Sequence, residues 1–234
     1  VGGSGSGASP ISVTNLTGNT SYTFTVTATN TSGSTISSAT NSILTIPSAP
    51  TIGSATLSDY NAASVTYTTP TGGATTYSIT SSPAGGSGSG ASPISVTNLT
   101  GNTAYTFTVT ATNSTGSSTS GSTSSVTTKP GPPTIGAATA STSSSGSATV
   151  AYTAPAGGAT SYSITSSPTG GSGSGASPIS VTGLTGNTAY TFTVTATNTT
   201  ASSTSGSTGS ITTKPSAPTI GSASATDYNA ASVT

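Results

Sequence analysis

The clearest pattern along the chain lies between Thr103 and Asn113, where Tyr105, Phe107, Val109 and Ala111 alternate with Thr106, Thr108, Thr110 and Thr112. A period of two predicts a β-strand with one face buried and the other in solvent. Threonine suits the outer face, being β-branched and polar at once. Shorter alternations surround this strand: Val65 with Tyr67, Tyr77 with Ile79, Ile94 with Val96, and a terminal Val126. Turn signals separate them, notably Pro70 to Gly73 and the Gly-Ser run from Gly85 to Gly90. No stretch carries a helical period, and strong helix formers are scarce.

The pattern recurs. Gly-Gly-Ser-Gly-Ser-Gly-Ala-Ser-Pro-Ile-Ser-Val-Thr stands at Gly2 to Thr14, Gly85 to Thr97 and Gly170 to Thr182. Pro10, Pro93 and Pro178 are 83 and 85 residues apart, as are Tyr22, Tyr105 and Tyr190. The two extra residues fall in an early loop, because Pro133 to Val150 is 17 steps where Pro50 to Val65 and Pro218 to Val233 are 15. A fixed period of this size signals an array of like units. Cutting at the proline-rich junctions gives a partial repeat at 1–49, complete repeats at 50–132 and 133–217, and the start of another at 218–234. The outer segments begin and stop in mid-repeat. The expectation is a window on a longer array, or a chain whose missing halves come from neighbouring copies.

About seven short strands in each 83-residue repeat imply an all-β fold of tandem antiparallel β-sandwiches. Leu99 and Tyr105, six residues apart, suit a tyrosine corner, in which the phenol bonds back to upstream backbone. The spacing returns at Leu16 with Tyr22 and Leu184 with Tyr190.

Composition sharpens this reading by exclusion. The 234 residues hold two Lys+Arg, two Asp+Glu, no His, Cys, Met or Trp, and 106 Ser plus Thr. General acid/base chemistry, thiol or Ser-His nucleophiles and most metal sites need residue types that are missing, so no enzyme, cofactor or metal site is expected. Nucleic acid is a poor partner for a chain of zero net charge, since each phosphate contact needs a cation. No apolar run approaches the roughly 18–20 residues of a membrane span. Low charge with much Ser and Gly is also a mark of disorder, but β-branched and aromatic residues recur here in order.

At this point the repeat resembles a fibronectin type III module. The features that carry the resemblance are Pro50, Tyr67, Tyr77 with Ile79, Leu99 with Thr103 and Tyr105, and the strand from Tyr105 to Asn113 with Gly116; the second copy has Pro133, Tyr152, Tyr162, Leu184 and Tyr190. It covers the whole chain and implies a seven-stranded, immunoglobulin-like sandwich. Two departures stand out. Tyr67 and Tyr152 occupy a position where the family usually has Trp, and no Arg-Gly-Asp loop exists, since Asp59 and Asp227 each precede Tyr.

Candidate sites are few. Tyr60 and Tyr228 fall outside the alternation in an early loop and are candidate partner contacts, although capping the sandwich end or packing on the next domain is the more economical role. Asn15, Asn19, Asn30, Asn98, Asn113 and Asn198 satisfy Asn-x-Ser/Thr and are candidate glycan acceptors. The Gly-x-Gly-x-Gly run at Gly85 to Gly90 is read as a hairpin loop, because a phosphate loop opens a helix and usually carries Lys. Lys129 and Lys214 sit at repeat ends and lack the acid that an isopeptide crosslink requires.

The expected role is a structural spacer or display stalk in a fibre or filament at an extracellular, cell or virion surface. Similar arrays occur in bacterial surface proteins and phage virion fibres. Two alternatives are an adhesive module that binds cell-surface or host glycans, and an accessory module of a secreted polysaccharide-degrading enzyme. Expected partners are other copies of the repeat, lateral or end to end, because uncharged edge strands oppose pairing less than charged ones.

Overall fold

The computed structural model describes residues 2–234, and every regular element among them is a β-strand. The chain forms two compact units, one running to Thr128 and the other spanning Lys129–Thr234.

The first unit contains a complete sandwich. One sheet orders Thr51–Asp59, Ala62–Thr68 and Ile94–Val96. The other orders Ser117–Thr119, Ala104–Thr112, Thr76–Ser82 and Ser87–Ser89, with Val126–Thr127 pairing the start of Ala104–Thr112. All pairings are antiparallel. The alternation read from the sequence sets the faces: Tyr105, Phe107, Val109 and Ala111 are buried, and the threonines between them turn outward. Tyr105, Phe107 and Val109 meet Val65, Ile79, Ile94, Val96 and Leu99 in one core.

The outer face of the four-stranded sheet is a grid of hydroxyls. Thr108 lies opposite Thr80 and Thr110 lies between Ser78 and Thr119. The Oγ1 atoms of Thr80 and Thr108 are 3.1 Å apart, those of Thr110 and Thr119 3.0 Å. Cross-strand Thr pairs of this kind each add a few tenths to about 1 kcal/mol.

The last strand of the sandwich departs from a regular ladder between its two short paired segments and just after the second. There, side-chain hydroxyls take over from carbonyls as acceptors. Ser120 Oγ accepts from Val109 N at 2.9 Å, and the buried Thr128 Oγ1 accepts from Thr103 N at 3.0 Å while donating to Thr100 O at 2.8 Å. Buried backbone groups need partners, and here Ser and Thr supply them.

The second unit repeats the arrangement. Thr134–Ala140, Ala148–Thr153 and Ile179–Val181 form one sheet; Ser202–Thr204, Ala189–Thr197, Ser161–Ser167 and Ser172–Ser174 form the other, joined by Ile211–Thr212. The two-residue insertion lengthens the connection between the first two strands. In it, Ser141 Oγ accepts from Ser143 N and Ser144 N.

The outer segments carry parts of the same pattern. In the first unit Ser21–Tyr22 pairs Ile43–Leu44 and Thr27–Asn30 pairs Gly33–Ile36. Val26 is 56% exposed there, whereas its counterpart Val109 is fully buried. In the second unit Ala223–Asp227 pairs Ala230–Val233, and Tyr228 is 94% exposed.

Candidate functional site

The most elaborate polar contact in the first unit lies where the partial repeat meets the complete one. Asn19 sits in the turn after Leu16 with φ of 49°, a left-handed conformation that Asn tolerates better than most residues. Its Nδ2 donates to Gly72 O at 3.0 Å. Asn113, at the end of the long strand of the next repeat, donates from Nδ2 to Asn19 Oδ1 at 2.9 Å and to Thr45 O at 2.8 Å. Its own Oδ1 accepts from Thr115 N and Gly116 N at 2.9 and 3.1 Å. The Asn113 amide, 7% exposed, therefore uses both donors and both acceptor positions.

Small residues make this approach feasible. Gly72 has φ of +84°, and a methyl group there would collide with the Gly18 carbonyl oxygen. Pro47 and Pro50 between the repeats are buried. The repeat period carries the same residue types to Asn102 and Asn187, to Asn30 and Asn198, and to Gly157.

Each repeat also holds a tyrosine corner. The phenol oxygens of Tyr22, Tyr105 and Tyr190 accept from Thr17 N, Thr100 N and Thr185 N at 2.9, 2.9 and 3.0 Å. Hydrogen bonds from Thr17 hold the Tyr22 phenol below its usual range. A second pair of rings bridges the two sheets. Tyr67 and Tyr77 have centroids 4.9 Å apart, Tyr152 and Tyr162 4.7 Å. Burial pushes the Tyr67, Tyr152 and Tyr162 phenols up, and the neighbouring ring adds to the shift at Tyr67 and Tyr152.

The residues singled out in the sequence are scattered over the surface and the junction. Tyr60 is half-buried in a tight turn, its N–H donating to Asp59 Oδ1 at 2.7 Å, and Tyr228 repeats that bond with Asp227. Asn15, Asn30 and Asn98 are exposed. Asn19 and Asn113 belong to the junction. Asn198 is 9% exposed, with Oδ1 accepting from Thr200 N and Ala201 N. Lys214 Nζ donates to Thr142 O at 3.1 Å. Among the described residues no group of three His, Cys, Asp or Glu could hold a metal ion, and no helix is long and apolar enough to cross a membrane. The pairing of Asn19 with Asn113 escaped the sequence reading because nothing local links residues 94 apart; their fixed phase in the repeat was the available signal.

Residues 131–213 match the profile of the fibronectin type III domain. That match spans the second complete repeat. Among solved structures the chain is similar to the two-domain fibronectin type III segment of chicken tenascin, at 16% identity and a TM-score of 0.42, covering 71% of this chain and 100% of that one. It is also similar to the FN1–FN3 domains of chicken CNTN1, at 17% identity and a TM-score of 0.32, covering 87% and 78%. For domains A168–A170 of titin the values are 19%, 0.32, 82% and 74%. None of the curated proteins matches the chain. Tandem fibronectin type III domains are generally structural or adhesion-related modules, typically non-catalytic and commonly extracellular.

Proposed function

We propose that the array is a structural spacer or display stalk in a fibre or filament at an extracellular, cell or virion surface. The observation that supports this most is the junction, where Asn19, Thr45, Gly72 and Asn113 tie one repeat to the next through both side-chain and backbone groups. Buried proline on either side of the link restricts its backbone further. Fixed hydrogen bonds between repeats transmit orientation along an array, which a spacer requires and a set of independent domains does not. Its partners are other copies of the repeat, end to end or lateral. The edge strands Ser87–Ser89 and Ser117–Thr119 carry no charge to oppose edge pairing.

Immunogold labelling of native material with an antibody against a complete repeat tests the reading. Labels along surface filaments support it, and labels confined to the cell interior overturn it. Sedimentation over a rising concentration series tests the partner, for which strictly monomeric behaviour is the opposing outcome.

Adhesion to neutral glycans is a second reading, favoured by the tyrosine grooves described next. Exposed Asn15, Asn30 and Asn98 are the acceptors the fold leaves accessible if the chain is itself glycosylated, and exposed Tyr228 is the more accessible partner contact of the loop tyrosines.

A further inference from the structure

Each complete repeat carries a groove that the spacer role leaves unused. Tyr67 lies near the end of Ala62–Thr68 in one sheet, and Tyr77 near the start of Thr76–Ser82 in the other, so the rings meet where the sheets separate. Tilted by 37°, they join Thr69, Thr76, Ser89 and Gly90 in walling an open groove of about 760 Å³. In the second repeat Tyr152 and Tyr162, tilted by 36°, join Thr160, Ser161, Ser174 and Gly175 around a groove of about 650 Å³. The two-residue insertion leaves the feature in place.

Both grooves are built alike. Tyr67 Oη donates to Gly90 O at 2.9 Å and Tyr152 Oη to Gly175 O at 3.0 Å, which fixes one ring of each pair against the loop on the far wall. Tyr77 Oη is buried and makes no hydrogen bond, the one side-chain polar atom of this kind among the described residues.

The lining defines the occupant. No charged residue faces either groove, so phosphates, acidic peptides and nucleic acids find no counter-charge. What is offered is the exposed part of the half-buried Tyr77 and Tyr162 rings, backed by the buried Tyr67 and Tyr152 and flanked by Ser and Thr hydroxyls and backbone carbonyls. That combination fits a sugar ring, with its C–H face against tyrosine and its hydroxyls against the rim. The volumes fall in the usual range of ligand sites, about 300–1,000 Å³.

We propose that each groove binds a hexopyranose unit of a neutral polysaccharide. This rests on the adhesive reading and gives it a location other than the loop tyrosines. With one groove per repeat, a polymeric glycan engages several at once, and weak single contacts gain about 10²–10⁴ in avidity.

The test titrates the whole chain, carrying ¹³C-labelled tyrosine rings, with cellohexaose, laminarihexaose, maltohexaose and chitohexaose. The expected result is millimolar binding of at least one, shifting the Tyr67, Tyr77, Tyr152 and Tyr162 resonances while Tyr60 and Tyr228 stay fixed. Replacing Tyr77→Leu with Tyr162→Leu abolishes it. Should that variant fail to fold, Thr76→Val with Ser161→Ala removes one rim hydroxyl from each groove and weakens binding by about three- to tenfold. Binding that shifts only Tyr60 or Tyr228, or that survives both variants, overturns the grooves and leaves adhesion standing. Binding of none of the four sugars overturns both.

Discussion

Thr123 meets Phe107 twice: its N–H donates to the Phe107 carbonyl at 3.0 Å, and its Oγ1 accepts from the Phe107 N–H at 3.1 Å. A hydroxyl stands where a β-ladder would place a carbonyl. Thr208 does the same for Phe192, and Thr40 for Phe24. Thr123→Val keeps the shape but strands a buried N–H, which costs about 1–3 kcal/mol. Urea unfolding of the variant should show that loss, and Thr123→Ser should recover most of it. A midpoint unchanged in Thr123→Val would mean that the hydroxyl contributes nothing.

The tyrosine corner makes a similar claim two residues earlier on the same strand. Tyr105→Phe removes the acceptor of Thr100 N and leaves the ring in the core. A loss of about 1–3 kcal/mol is expected in the first unit, with Tyr190→Phe giving the same in the second. Hydrogen exchange at Thr100 N–H should quicken before the core strands do.

Stability should be level from about pH 5 to 9, because a chain without His or Cys has no side chain that ordinarily titrates there. Above that range it should fall. Burial raises the Tyr67, Tyr152 and Tyr162 phenols above 10.0, so the native state keeps protons that the unfolded chain releases. With fewer protons bound in the unfolded state, stability drops once pH passes the unfolded value, and the loss is complete when it has risen through the native one. Tyr22, held lower by Thr17, works in the opposite direction, one group against three. Thermal melts across alkaline pH check the sign.

The junction should behave as a coupled pair. A double-mutant cycle on Asn19→Ala and Asn113→Ala is expected to give an interaction energy of about 0.5–3 kcal/mol, the range for residues in one hydrogen-bonded network. Additive single effects would show the amide contact to be incidental. Gly72→Ala should loosen the same contact by collision with Gly18, read as faster exchange at the junction amides.

Glycan mapping offers a check on accessibility. In a glycosylating host, peptide mass spectrometry should find modification at Asn15, Asn30 or Asn98, because Asn113 and Asn198 are buried with their side chains engaged. Modification before folding at Asn113 would block the junction and should lower the yield of folded chain.

The parts of this structure that were legible beforehand are those governed by local period. The alternation from Tyr105 to Thr112 decided both the strand and its buried face, and the spacing of Leu99 and Tyr105 located the corner. The hydroxyls of Ser120 and Thr123 were not legible, since in a run of Ser and Thr nothing marks which ones turn toward backbone. The groove was hidden for a different reason. Tyr67 and Tyr77 were each read as core residues of separate strands, and only the closing of two sheets brings their rings together at the rim.

The grid of threonine hydroxyls on the outer sheet has one further consequence. A protein that stays wetted and folded through neutral dipoles, with four charges in 234 residues, offers dissolved ions almost nothing to screen. Its unfolding midpoints in fresh water and in seawater-strength sodium chloride should nearly coincide.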